Sequence, residues 1–381
     1  MRGNSLNRQK GTDSMRFNFT GTVGAITDEG SKGYFSRSGN KNGDPYESVN
    51  FSVASAKNNR GFVEMFGMKS DTIHTTDTDG NKFDVSWNDR NDKDIIKDVA
   101  SYRKSVVSLK DGERHEYISA YDAVQEVRSA IPEMVGKKFT ITGNVSKDFY
   151  NGKASDRFQI SNVYIASEES KPRLSVMGEF FFTKDSIDCG DWNSDHKLTI
   201  TGWSQEYIKD EKKRMYYERQ CVFDCSKIDF DNEQQRKIAE FRLKYLGCTL
   251  KGDKITVKLD PKKVYKINAT FLYQNGNEEI EFDESELTES QKEAITLGLK
   301  TIDDFSPVGA SIYGNRITVL KLIDMDMRTP YEDGCVETGD SVDEFMENVY
   351  VLPSAGDGGD PADGFMEIPD DATDEIESLF S

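Results

Sequence analysis

The sequence predicts a β-rich α+β chain: two halves of similar element order in tandem, followed by a disordered acidic tail. Three observations carry this. Short segments alternate apolar and polar residues with period 2, as strands half-buried against a core do. A helical stripe, Ala123, Val124, Val127 and Ile131, follows the third strand, and a similar order of elements recurs in the second half. From about Thr329, Gly, Asp, Pro, Ser and Glu take over the composition.

At 381 residues the chain is too long for one ordinary domain. The formal net charge is −19, but 16 acidic and no basic residues lie between Tyr331 and Ser381. The remainder, with 52 acidic and 49 basic side chains, is almost neutral. A uniformly acidic protein is therefore excluded; this is a near-neutral body with a polyanionic end. The boundaries read as a flexible extension over 1–14, a first domain over 15–167 with an insertion at 70–117, a second domain over 168–328, and the tail over 329–381.

The strand signal starts at Met15, with Phe17, Phe19, Gly21 and Val23 on one face. A Gly-rich loop over 30–44 precedes a second strand with Val49, Phe51 and Val53 inward and Ser48, Asn50 and Ser52 outward. A turn at Asn58–Gly61 leads to a third strand over 62–68. Asp79-Gly80 marks a hairpin inside the insertion. The helix over 120–134 is closed by Pro132 and Gly136, and strands near 138–145 and 157–165 follow. In the second half, strands near 174–183, 197–208 and 215–229, a helix near 232–246, and strands near 264–273 and 278–283 repeat the order. A helix near 287–299 and a strand over 316–323 are additional. Phe19-Thr-Gly21, Ile141-Thr-Gly143 and Ile200-Thr-Gly202 form a weak internal repeat. An unrelated α+β second domain is the competing expectation.

Three strands, one helix and two strands in this order resemble the OB-fold, a partly open Greek-key barrel. The resemblance implies two OB-fold-like five-stranded barrels and a binding face on strands two and three, flanked by the loops joining strands one–two and four–five. Both loops mix cations with rings. The first holds Lys32, Tyr34, Phe35, Arg37 and Lys41, with Tyr46 beyond; the second holds Lys147, Phe149, Tyr150, Lys153 and Arg157. Cations neutralise phosphate and rings stack on bases, at about 1–3 kcal/mol per stacked base. Arg60, Phe62 and Phe66 lie on strand three, where both faces are apolar. Tyr207, Lys212 and Arg214 sit in a charged hairpin over 204–219 that reads first as a solvated tip, with a supplementary DNA contact as the alternative.

The chain's end regains hydrophobes: Asp370, Asp371, Asp374, Glu375, Ile376, Leu379 and Phe380. Such an ending resembles the acidic tails of single-stranded-DNA-binding proteins of bacteria and their phages. The bacterial tip Asp-Asp-Asp-Ile-Pro-Phe is matched only in pieces, Ile368-Pro-Asp-Asp371 and Leu379-Phe380-Ser381, so the phage type fits better. The resemblance implies non-enzymatic binding of single-stranded DNA, protection of it, and recruitment of replication, recombination or repair proteins by the tail. It also implies a tail that competes with DNA for the groove. A tethered polyanion near a cationic groove agrees with this.

No phosphate-loop or nucleophile-elbow motif occurs. The segment around Asp77–Gly80 fails as a calcium loop, since Thr75 and Ser86 hold its first and twelfth positions. Cys221, Cys225, Cys189 and His196 read as buried thiols and a lone imidazole rather than zinc ligands. No cofactor or metal is expected. The absence of a long apolar run and of an apolar N-terminal stretch gives the expectation of a cytoplasmic protein without membrane contact. Homo-oligomerisation stays open. Two other classes remain: an acidic DNA mimic inhibiting a host enzyme, and a virion structural protein.

Overall fold

The structure is a computed structural model, described here for residues 15–24, 34–41, 43–56, 59–110, 112–150, 153–208, 211–277, 316–325 and 334–351. The extension over 1–14, Lys32, the expected strand 278–283, the expected helix 287–299 and the tail residues from Asp370 to Phe380 lie outside these.

The first half runs β1 (Arg16–Val23), β2 (Tyr34–Lys41), β3 (Asp44–Ala56) and β4 (Asn59–Met68). The insertion holds β5 (Thr72–Thr76), β6 (Lys82–Ser86), α1 (Lys93–Asp98), β7 (Ser105–Ser108) and β8 (His115–Tyr117). Then come α2 (Ala120–Met134), β9 (Lys138–Tyr150) and β10 (Lys153–Ile165). β1 pairs antiparallel with β3 and with β9. β3 pairs with β4, β4 runs parallel to β10, and β10 pairs with β9. The pairings β1–β3–β4–β10–β9–β1 thus close a ring.

The alternation in β1 explains what fills it. Phe17 and Phe19 point inward and meet Phe158 of β10 with ring centroids 5.4 and 4.8 Å away. Ala123, Val124, Val127 and Ile131 of α2, all buried, join the same core. Gly67 of β4 allows α2 to sit this close: a Cβ there would lie 2.3 Å from the Tyr121 amide nitrogen. Glycine also sits where strands change neighbours. A Cβ at Gly21 would lie 2.3 Å from the Ala54 carbonyl oxygen, one at Gly143 would lie 1.9 Å from that of Gln159, and one at Gly202 would lie 2.3 Å from that of Phe181. The Ile/Phe-Thr-Gly repeat therefore marks sharply coiled strands. It does not mark equivalent positions, because Gly143 and Gly202 lie on strands of different rank in their rings.

The second half holds β11 (Arg173–Phe182), β12 (Ile187–Asp188), α3 (Trp192–Asp195), β13 (Lys197–Ile208) and β14 (Lys213–Asp224). It continues with α4 (Glu233–Lys244), β15 (Cys248–Lys251), β16 (Lys254–Val257), β17 (Lys263–Asn277) and β18 (Arg316–Met325). The same ring recurs: β11 pairs with β13, β13 with β14, β14 runs parallel to β18, β18 pairs with β17, and β17 with β11. β1 pairs directly with β11, so the two rings share one sheet.

Four expectations change. The loop over 30–44 is largely strand: β2 pairs residue by residue with β3, from Tyr34–Phe51 to Lys41–Asp44. The second ring is closed by β18, expected only as an additional strand; the expected strand near 278–283 lies outside the described residues. The hairpin over 204–219 is not simply a solvated tip, since Glu206 and Arg219 are buried. Finally, the segment after Thr329 is not structureless throughout. β19 (Val336–Ser341) pairs with β17, and α5 (Val342–Met346) buries Phe345 against Phe181, Trp203 and Val264. Phe345, with α5 capped by Ser341 and Glu344, supplies the apolar anchor that the acidic composition conceals.

Candidate nucleic-acid interface

Residues directly opposite in an antiparallel pair share a face, so the register of β2, β3 and β4 fixes which side chains stand together. Tyr46 pairs with Met68, Ser48 with Phe66, Asn50 with Glu64, Ser52 with Phe62, and Ala54 with Arg60. On the other side of β3, Phe35 pairs with Asn50, Arg37 with Ser48, Gly39 with Tyr46, and Lys41 with Asp44. Phe35, Arg37, Lys41, Tyr46, Arg60, Phe62 and Phe66 therefore occupy one face of three adjacent strands. The opposite face of β4, with Val63 and Met65, belongs to the core.

That face carries an exposed aromatic row. Phe62 is 60% exposed, Phe66 37% and Met68 41%. Tyr46 stacks on Phe66 with ring centroids 5.7 Å apart and planes 28° from parallel. Gly39 makes room for this pair, since a Cβ there would lie 3.0 Å from the Tyr46 ring. Ser48 and Ser52, expected outward, share the face but are nearly covered. Glu64 is held by Arg157 of β10, which cancels one negative charge on the row.

Two arms bracket the row. The β2–β3 pairing ends at Lys41–Asp44, toward the Met68 end of β4. The β9–β10 pairing ends at Tyr150–Lys153; because β10 runs parallel to β4, with Phe158 beside Val63, this tip lies toward the Asn59 end. Phe149 and Tyr150 pair with Ala154 and Lys153 at that tip. Tyr207, exposed, and Arg214 are paired at the tip of β13 and β14, where Lys212 takes a left-handed φ of 51°. They belong to the second ring and not to the β4 face.

Lys147 is not a solvent-facing cation. It is largely but not fully buried, ion-paired to Asp156 at 2.9 Å, and stands 4.8 Å from the Tyr217 ring centroid. Arg219 of β14 completes the cluster, with Asp156 at 2.5 Å and Glu206 at 2.9 Å, and donates to the Ser204 hydroxyl at 2.6 Å. Burial and the Arg219 charge pull the Lys147 amine below the ordinary lysine range, against the pull of Asp156. Burial alone would push the Asp156 carboxyl up, but Arg219 and Lys147 hold it below the ordinary range. Because Asp156 belongs to the first ring and Arg219 to the second, this cluster ties the two together. Asn59 and Asn275 add hydrogen bonds across the same junction, from the Asn275 amide to the Asn59 side chain at 2.9 Å and from Asn275 Nδ2 to the Arg60 carbonyl at 3.1 Å.

The alternation of the third strand already puts Met68 on one side with Phe62, Glu64 and Phe66, and the pairing of Tyr46 with Met68 agrees. Sequence reasoning missed Tyr217, Tyr273 and Asn275 as neighbours of the face, because they depend on how the rings dock, which no local pattern records.

No family model matches this sequence, and no curated protein matches it. Among solved structures, a deletion mutant of the single-stranded DNA binding protein from Thermus aquaticus is similar over 69% of this chain and 86% of that chain, at 10% identity and a TM-score of 0.28. Among the described residues, no helix is long and apolar enough to cross a membrane.

Proposed function

We propose that the chain binds single-stranded DNA largely without sequence specificity, and that both rings are OB-type barrels. The observation that carries the reading is the open row of Phe62, Phe66 with its stacked Tyr46, and Met68, on the second and third strands of a ring closed in OB order. Rings offered face-out to solvent stack on any base, which gives affinity without base readout. Arg37, Lys41, Arg60 and, on the arms, Lys153 stand near enough in register to follow the backbone. Lys32, Phe149 and Tyr150 are further proposed contacts; Tyr34, expected beside them, pairs with Phe51 and so stands on the opposite face of β2 from Phe35 and Arg37. Non-enzymatic protection of the strand, and recruitment of replication or recombination proteins by Asp370–Phe380, complete it.

The test is a filter-binding titration of oligo-dT and duplex at two salt concentrations, with Phe62→Ala/Phe66→Ala against the parent. Loss of two stacked bases at about 1–3 kcal/mol each predicts at least a thirtyfold weaker complex with oligo-dT. Affinity should fall with salt in both proteins. Unchanged affinity, or equal preference for duplex, would refute the reading. Competition by the tail is tested by ending the chain at Val351, since removal from 331 would also strip β19 and α5. Tighter binding at low salt is expected; equal affinity would remove the competition.

A further inference from the structure

The aromatic row does not stop at the rim of the first ring. Phe62 also walls a cleft of about 480 Å³ between the two rings, which is a volume typical of small-molecule sites. Tyr217 and Tyr273 form other walls, and Ser155, Gln220 and Asn275 place a hydroxyl and two amides on its lining. The cleft has a charged floor, but its charges cancel. Lys147 and Arg219 are matched by Asp156 and by Glu206 behind it, and Glu218 on the lining adds a further negative charge. An incoming phosphate would meet no net positive charge there. A flat, neutral ring with donors and acceptors on its edge would meet rings on its faces and amides around it.

We infer that this cleft takes one unpaired nucleobase of the strand lying along β4, with that nucleotide's phosphates outside. The inference rests on the proposed DNA binding and adds a base-lodging site to it. The strand path follows from Phe62, which belongs to both the row and the cleft. The class of ligand follows from the charge balance.

Two substitutions of the full chain test it with oligo-dT as the probe. Tyr217→Leu removes one aromatic wall and should weaken binding about tenfold, the equivalent of one lost stack. Tyr217→Trp keeps the wall and the contact with Lys147, so it should bind like the parent, and its added indole should be quenched when oligo-dT binds. Parental affinity in Tyr217→Leu, or an indole that stays bright while DNA is bound, would overturn the inference and leave the β4 face intact. Should Tyr217→Leu fail to fold, the quenching in Tyr217→Trp decides by itself. A parent protein that binds no oligo-dT would instead refute the proposed function, and the cleft's role with it.

Discussion

Replacing Arg219 by Met removes the centre of the junction between the two rings while keeping most of the side chain's volume. Arg219 is 2% exposed and serves two carboxylates, Asp156 of the first ring and Glu206 of the second. The two do not suffer equally. Asp156 keeps Lys147 at 2.9 Å, whereas among the described residues Glu206 keeps only the Ser204 hydroxyl, at 3.0 Å. Breaking a buried pair by deleting one partner costs about 3–5 kcal/mol, chiefly through the charge left behind. The loss at pH 7 should fall in that range, read from the urea midpoint at constant slope. Adding Glu206→Gln should recover part of it, because a neutral amide is cheaper to bury than an unpaired carboxylate. The pH dependence has a definite sign. The Asp156 carboxyl is held below its ordinary 3.8, so its contribution is present above that value and lost as pH falls through its depressed folded value. The variant lacks the larger of the two cations responsible and has less to lose. The gap between parent and variant should therefore narrow in acid. A cost under about 1 kcal/mol at pH 7, or a gap that widens on acidification, would refute the idea that Arg219 is the electrostatic tie.

Two further outcomes follow from burial. Phe345→Ala should destabilise the protein by about 3–5 kcal/mol and alter the near-ultraviolet signal of Trp203, whose ring centroid lies 5.3 Å from that of Phe345; ending the chain at Val351 should change neither. Burial raises the thiols of Cys225 and Cys335 to about 11 and that of Cys248 to about 12, against an ordinary 9. The folded state thus favours the protonated thiols: their contribution is whole below pH 9 and is lost as pH rises through about 11 to 12. Urea midpoints should drop in that alkaline window, and Cys225 and Cys248 should resist alkylation at neutral pH until the chain unfolds. Rapid labelling of either in the folded protein, followed by mass spectrometry, would contradict this.

What the sequence made legible is what period and local chemistry encode. β1, α2 and β13 lie where alternation or a helical stripe put them, because each buries one continuous face. Asp79-Gly80 turns the β5–β6 hairpin because glycine alone takes its φ of 93° without strain. Errors arose wherever a partner far along the chain decides the outcome. β18 belongs to the second ring because β14 offers it a parallel edge, a pairing no local window contains. Lys147 looks like a loop cation in sequence, yet Arg219 and Asp156 turn it into part of a buried cluster. Phe345 sits among Asp343, Glu344 and Glu347, where composition argues for disorder, and its burial depends on rings supplied by β11 and β13.

The same distance effect separates the two rings as binding surfaces. In both, the second and third strands carry aromatic residues on the outer face: Tyr46 and Phe66 in the first, Trp203 and Tyr216 in the second. Aromatic content alone would rank them equal. Yet Phe345 lies 4.2 Å from the Tyr216 ring centroid, and backbone hydrogen bonds from Tyr216 to Asn348 and from Tyr350 to Tyr216 hold the covering segment down. The rings of β13 and β14 are thereby spent on packing, while Phe62 and Phe66 of β4 remain exposed. Ring availability, not ring number, thus favours the first ring of strands and the adjoining cleft as the course of the proposed DNA strand, with the second ring contributing Tyr217 and Tyr273 at the junction.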